Sequence, residues 1–156
     1  MSDDPMNPKP QTPRFKFGGL DAAAVARAEA ALKSLSTNFD GWMNDELAKI
    51  EAARDRVRAE GFNAETAENL YFRAHDMKGL GATYEFPLVT RMAASLCRIL
   101  HDPATRLSAP FAVVDAHIDA IGKAVRGQLR TESDPAGRAM AEDLENQVAR
   151  LTLAAA

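Results

Sequence analysis

The sequence is short of cysteine, of net charge, of long apolar runs and of strand-like pattern, and each shortage excludes something. A single cysteine, Cys97, in 156 residues leaves no intrachain disulfide to form and suits a reducing, cytoplasmic setting. No run of about 18 apolar residues occurs, so no transmembrane helix is expected, and the N-terminus lacks the apolar core of a secretory signal. A formal net charge of −3 is too small for a general nucleic-acid footprint. Alternating β-branched runs are missing, and no internal repeat of fixed period is found. The three histidines, His75, His101 and His117, have no close metal-ligand spacing, which argues against a zinc site. No pair of carboxylates is set for hydrolysis.

Against these absences stands an ordinary globular composition, 46% hydrophobic and 26% charged. A chain of this length suits one domain and buries roughly 70% of its unfolded surface without staples. Proline is concentrated at the start, with Pro5, Pro8, Pro10 and Pro13 ahead of Gly18-Gly19. Residues 1–19 therefore read as a disordered, proline-rich arm. Within it, Arg14-Phe15-Lys16-Phe17 is the one segment patterned to lie as a tether on the domain or on a partner.

From Leu20 onward the composition is that of helices. A first helix is expected over 20–35, and Ser36-Thr37-Asn38 offers caps for a second that runs to about Glu60, the alternative being one continuous helix. Phe39, Met43, Leu47, Ile50 and Val57 form its core stripe, and Trp42 reads as a core anchor. Arg54, Arg56 and Arg58 read as a solvated face. Gly61 supplies a left-handed stop. Asn63 caps a third helix, with Glu65 and Glu68 complementing its dipole, which ends near Tyr84. Pro87 opens a fourth helix with a stripe of Leu88, Met92, Leu96 and Ile99 and a buried Cys97 at its edge. His101 lies in its last turn, and a loop over 102–109 follows. The fifth helix carries Phe111, Val114, Ile118, Ile121, Val125 and Leu129. Asp134-Pro135 caps the sixth, with Met140, Leu144, Val148 and Leu151 on one side. Long amphipathic helices with short connections predict an all-α protein. The expected form is an antiparallel up-down four-helix bundle with extra N- and C-terminal helices, spanning 20–153 with core helices over about 37–130.

The stretch Phe72-Arg73-Ala74-His75-Asp76-Met77-Lys78-Gly79-Leu80-Gly81-Ala82-Thr83-Tyr84 carries the chemistry. At about 100° per residue, Leu70, Ala74, Met77, Gly81 and Tyr84 form a seam with 4-3-4-3 spacing. Tyr71, Phe72, Lys78, Gly79 and Ala82 fall within about 60° of His75, on the other side. A neutral imidazole is a nucleophile near neutral pH. Phosphoryl transfer asks mostly for positioning and charge neutralisation. Lys78, one turn on, is the candidate phosphoryl-stabilising cation. Gly79 and Ala82 keep the surface low for an approaching partner, and Tyr71 and Phe72 supply docking contacts. Gly81, on the seam, reads as close helix packing.

His75-Asp76-Met77-Lys78-Gly79 resembles the motif of histidine-containing phosphotransfer (HPt) domains of bacterial two-component phosphorelays. The segments 87–100 and 114–121 are similar to the following helices of that family. The resemblance covers about residues 38–130. It implies that His75 is phosphorylated, that Lys78 steadies the phosphoryl group and that Gly79 permits close approach. It implies a monomeric cytoplasmic phosphoryl carrier with no ATP-dependent kinase activity and no cofactor or metal of its own. The partners it implies are response-regulator receiver domains or a hybrid histidine kinase, the receiver bringing an aspartate and Mg²⁺. Family members have a glycine ten residues after the histidine, where this chain has Glu85. The alternative reading is a helical module that docks receivers or other signalling proteins without being phosphorylated. A histidine-kinase dimerisation region fits less well, since Asp76 follows His75 and Leu80 stands where such regions carry proline.

Overall fold

The structure, a computed structural model, describes residues 21–155. The proline-rich arm over 1–19, with its Arg14–Phe17 segment, lies outside the described residues. All regular structure among the described residues is helical: α1 (Ala22–Glu60), α2 (Ala64–Thr83), α3 (Pro87–Leu100), a 3-10 turn (Arg106–Ser108), α4 (Phe111–Arg126) and α5 (Pro135–Ala155). None of these helices is long and apolar enough to cross a membrane.

The break expected at Ser36-Thr37-Asn38 is absent, and one helix runs through it. Serine, threonine and asparagine each cost only about 0.5 kcal/mol in a helix interior relative to alanine, and strong helix formers flank them here. The chain divides into two units at this level, residues 1–36 and 37–156. In the first, the described residues 22–36 belong to α1. The second contains the core.

That core is one cluster. Met43, Leu47 and Ile50 of α1 join Leu70, Ala74 and Met77 of α2, Leu88, Met92 and Leu96 of α3, Val114, Ile118 and Ile121 of α4, and Leu144 of α5. Each of the larger side chains among them contributes about 1.5–3 kcal/mol by leaving water. α3 packs against α2, α4 and α5. It therefore buries Val89, Ala93, Ser95, Cys97 and Leu100 as well as Leu88, Met92 and Leu96. The stripe read from sequence was too narrow: a helix covered on several sides is apolar on several sides.

The joints follow local chemistry. Gly61 ends α1 with a φ of 91°, and its N–H donates to the Val57 carbonyl at 2.7 Å. Asn63 accepts from the backbone N–H of Glu65 and Thr66, and the Thr66 hydroxyl accepts from the Asn63 N–H, a complete capping box. Asp134 caps α5 through the Ala136 and Gly137 N–H groups, with Pro135 in the first turn. α4 ends at Arg126, one turn earlier than the apolar pattern suggested, and Leu129 packs on the core from the loop.

The α2–α3 connection is a Schellman turn. The Phe86 N–H donates to the Gly81 carbonyl at 2.7 Å and the Glu85 N–H to the Ala82 carbonyl at 3.2 Å. The motif requires a left-handed residue between, and Glu85 supplies it at a φ of 64°. Glutamate thus holds the conformation for which glycine is the usual choice, at a cost of about 1 kcal/mol. Phe86 is fully buried, with the Arg130 guanidinium 4.3 Å from its ring centroid. Arg130 also pairs with Asp40, and its carbonyl accepts from the Leu88 N–H at 2.9 Å.

Two residue types sit differently from the sequence reading. Trp42 is no core anchor; it is 45% exposed, its ring tilted against those of Phe39 at 5.8 Å and Tyr84 at 5.7 Å. Arg54 is not solvated but buried. It reaches from α1 to Asp115 at 3.1 Å and Asp119 at 2.5 Å on α4, and its Nε is left without a partner. Arg58 also meets Asp115 at 3.0 Å, and Arg56 bridges Glu60 and Glu65. Carboxylates on α4 and at the start of α2 turn this arginine row into a clasp.

Candidate functional site

α2 is divided as its spacing dictates. Leu70, Ala74, Met77 and Gly81 are buried, while Phe72, His75, Lys78, Gly79 and Ala82 are exposed. Tyr84, the last seam position, is half-buried. A Cβ built on Gly81 would lie 2.8 Å from the Thr90 nitrogen and 3.1 Å from the Phe86 carbonyl oxygen. Gly81 therefore lets α3 start directly against α2. A Cβ built on Gly79 would meet nothing within 4 Å. Gly79 is not needed for packing, so its helix cost of roughly 0.5–1 kcal/mol is unexplained by the fold.

The surroundings of His75 are built by three elements. Its ring lies 6.0 Å from that of Tyr71, which in turn lies 5.7 Å from Phe72. Tyr71 is half-buried, packed against the core, with the Arg106 guanidinium 5.0 Å from its ring centroid. Arg106 is itself buried and donates to the Leu100 carbonyl at 2.5 Å, so the turn after α3 supports the aromatic beside the histidine. The Thr90 hydroxyl donates to the Lys78 carbonyl at 3.0 Å and fixes α2 to α3 one turn beyond His75. Tyr71 is thus partly covered beside the imidazole, whereas Phe72 is 54% exposed.

His75 and Lys78 open onto a groove of about 930 Å³ between α2, α3 and α5. Tyr71, Ala94, Cys97, Arg98, His101, Val148, Ala149, Thr152 and Leu153 complete its lining. Cys97 is buried, and burial pushes its thiol up, with Lys78 opposing; it behaves as a small core residue. His101 is exposed and brought onto the same groove as His75, whereas His117 is fully buried. The His117 Nδ1–H donates to the Val113 carbonyl at 2.7 Å, and the Ser95 hydroxyl donates to Nε2 at 2.9 Å. No group of three His, Cys, Asp or Glu able to hold a metal occurs among the described residues.

Sequence reasoning missed Arg106, Arg98 and the contribution of α5. Isolated arginines and a late helix carry no spacing signal; only the tertiary contacts bring them to His75. Comparison of the chain with protein-family models, with curated proteins and with solved structures gives no match.

Proposed function

We propose that this chain is a histidine phosphotransfer protein that carries a phosphoryl group on His75 between receiver-domain aspartates of a two-component phosphorelay. The observation that carries the reading is the exposed surface of α2, where His75, Lys78 and the uncrowded Gly79 share one side and the core seam holds the other. In the proposed step a neutral imidazole nitrogen attacks phosphorus and an N–P bond forms. The acyl-phosphate P–O bond breaks, the aspartate leaves as carboxylate, and the second ring nitrogen gives up its proton to solvent. Lys78 offsets charge on the phosphoryl oxygens. The protein acts as a reversible carrier rather than a turnover enzyme.

The finer fold reading belongs to the same proposal. The part of α1 from Thr37, with α2, α3 and α4, forms the antiparallel up-down four-helix bundle, and α5 is an addition to it. A cytoplasmic monomer is part of this reading too.

The test is direct. Wild-type protein mixed with labelled phospho-receiver should acquire acid-labile, alkali-stable label, and His75→Ala should not. Label on His75→Ala, or none on wild type across a panel of receivers, refutes the reading. Receiver binding without label points instead to a docking module.

A further inference from the structure

The groove at His75 has a second wall that phosphoryl transfer itself does not demand. That wall is the last turns of α5, where Val148, Ala149, Thr152 and Leu153 face Lys78 and Arg98 across the open space. We infer that this end of α5, together with Arg98, is part of the docking surface for an acidic phosphoryl-donor or -acceptor domain and sets which such domain is admitted. The inference rests on the phosphotransfer reading, since it names the partner surface of the same site.

Three observations support it. The first is charge. The described lining contains Lys78, Arg98 and the imidazoles of His75 and His101, and no aspartate or glutamate. Among the described residues neither Lys78 nor Arg98 forms an ion pair, whereas Arg54, Arg91, Arg126 and Arg130 all do. Cations that close no ion pair within the chain, Arg98 acting on Glu145 only at longer range, complement an acidic partner and speed its approach. The second is exposed apolar surface. Leu153 is 77% exposed at the edge of the groove, which leaves an apolar contact beside the charged one, the mixture found where a core meets a polar rim. The third is anchorage. Arg91 of α3 donates to both carboxylate oxygens of Glu145 at 2.9 and 2.5 Å, and Leu144 and Val148 are buried. The wall is held to α3 one to two turns before Leu153, so a partner meets a set surface and not a loose tail.

The experiment uses a receiver that labels the wild-type chain and compares Arg98→Glu, Leu153→Asp and the milder Leu153→Ala. Circular dichroism melting checks that each variant is folded. Arg98→Glu and Leu153→Asp should raise the KM for phospho-receiver about tenfold, with Leu153→Ala intermediate. The saturating transfer rate should stay within about twofold, because the reacting atoms are untouched. On a His75→Ala background, affinity for the unphosphorylated receiver should fall by the same factor. An unchanged KM in both charge variants, with label on His75 intact, overturns this inference alone. A wild type that takes no label from any receiver overturns the phosphotransfer reading and this inference with it.

Discussion

Alanine in place of Gly79 should stabilise the protein, and alanine in place of Gly81, two residues on, should destabilise it. Both glycines lie inside α2, where alanine is favoured by roughly 0.5–1 kcal/mol on propensity alone. At Gly79 nothing opposes that preference, since an added methyl meets no atom within 4 Å. At Gly81 the methyl would collide with the Thr90 hydroxyl and come within 2.8 Å of the Thr90 nitrogen and 3.1 Å of the Phe86 carbonyl oxygen. The hydroxyl can rotate, but the two backbone atoms can move only if α3 shifts. Overpacking of this kind costs about 1–3 kcal/mol. Losing the Thr90 bond to the Lys78 carbonyl adds about 1 kcal/mol. The net expectation is a gain of about 0.5–1 kcal/mol for Gly79→Ala and a loss of about 1–3 kcal/mol for Gly81→Ala. With roughly 2–4 °C of Tm per kcal/mol for a chain of this size, thermal melts followed by circular dichroism separate the two. On the proposed phosphotransfer function, the more stable Gly79→Ala should nevertheless pass the phosphoryl group at least about tenfold more slowly, because its methyl raises the surface beside His75. A Gly79→Ala that melts lower, or a Gly81→Ala that melts higher, refutes the assignment of one glycine to packing and the other to access.

Three further outcomes follow from the same geometry. Glu85→Gly should leave stability unchanged or raise it by up to about 1 kcal/mol, relief of the left-handed backbone being partly offset by a freer unfolded chain; a urea midpoint shifted toward clear destabilisation would show that the Glu85 side chain contributes to the turn. Lys78→Ala should slow single-turnover labelling of His75 by about tenfold to a hundredfold while leaving the melt in place, and an unaltered rate would remove Lys78 from the mechanism. Burial lowers the His117 pKa, partly opposed by its bond to Val113, so the folded state binds fewer protons than the unfolded one. Stability should be full above the ordinary histidine pKa of about 6.5 and fall as pH drops through it. Urea midpoints at several pH values test this, and the Ser95→Ala/His117→Leu pair should flatten that slope.

Much of the arrangement was legible because it rests on short-range rules. The Asn63 and Asp134 caps, the Gly61 stop, first-turn Pro87 and the seam of α2 each depend on residues within a turn or two of one another. What stayed hidden depends on distant partners. Ser36-Thr37-Asn38 looked like a cap, yet propensity on either side carried the helix through. Arg54 looked solvated because Asp115 and Asp119, which neutralise it, lie on another helix. Trp42 looked like core because size suggests burial, but its neighbours are Phe39 and Tyr84 at the edge of the cluster. Glu85 holds a left-handed backbone conformation for which glycine is the usual choice, which its identity alone does not reveal. The exposed placement of His75, Lys78 and Gly79 on α2 followed from spacing, and the groove lined by α3 and α5 did not.

Arg106 joins two places that would otherwise fluctuate separately. Its guanidinium meets the Leu100 carbonyl that ends α3 and the His101 carbonyl just beyond, and at the same time braces Tyr71 beside His75. Loosening at the end of α3 would loosen the Arg106 contact with Tyr71 as well. Amide hydrogen exchange in the last turn of α3, compared between wild type and Arg106→Ala, would measure how far this one side chain holds the two places together.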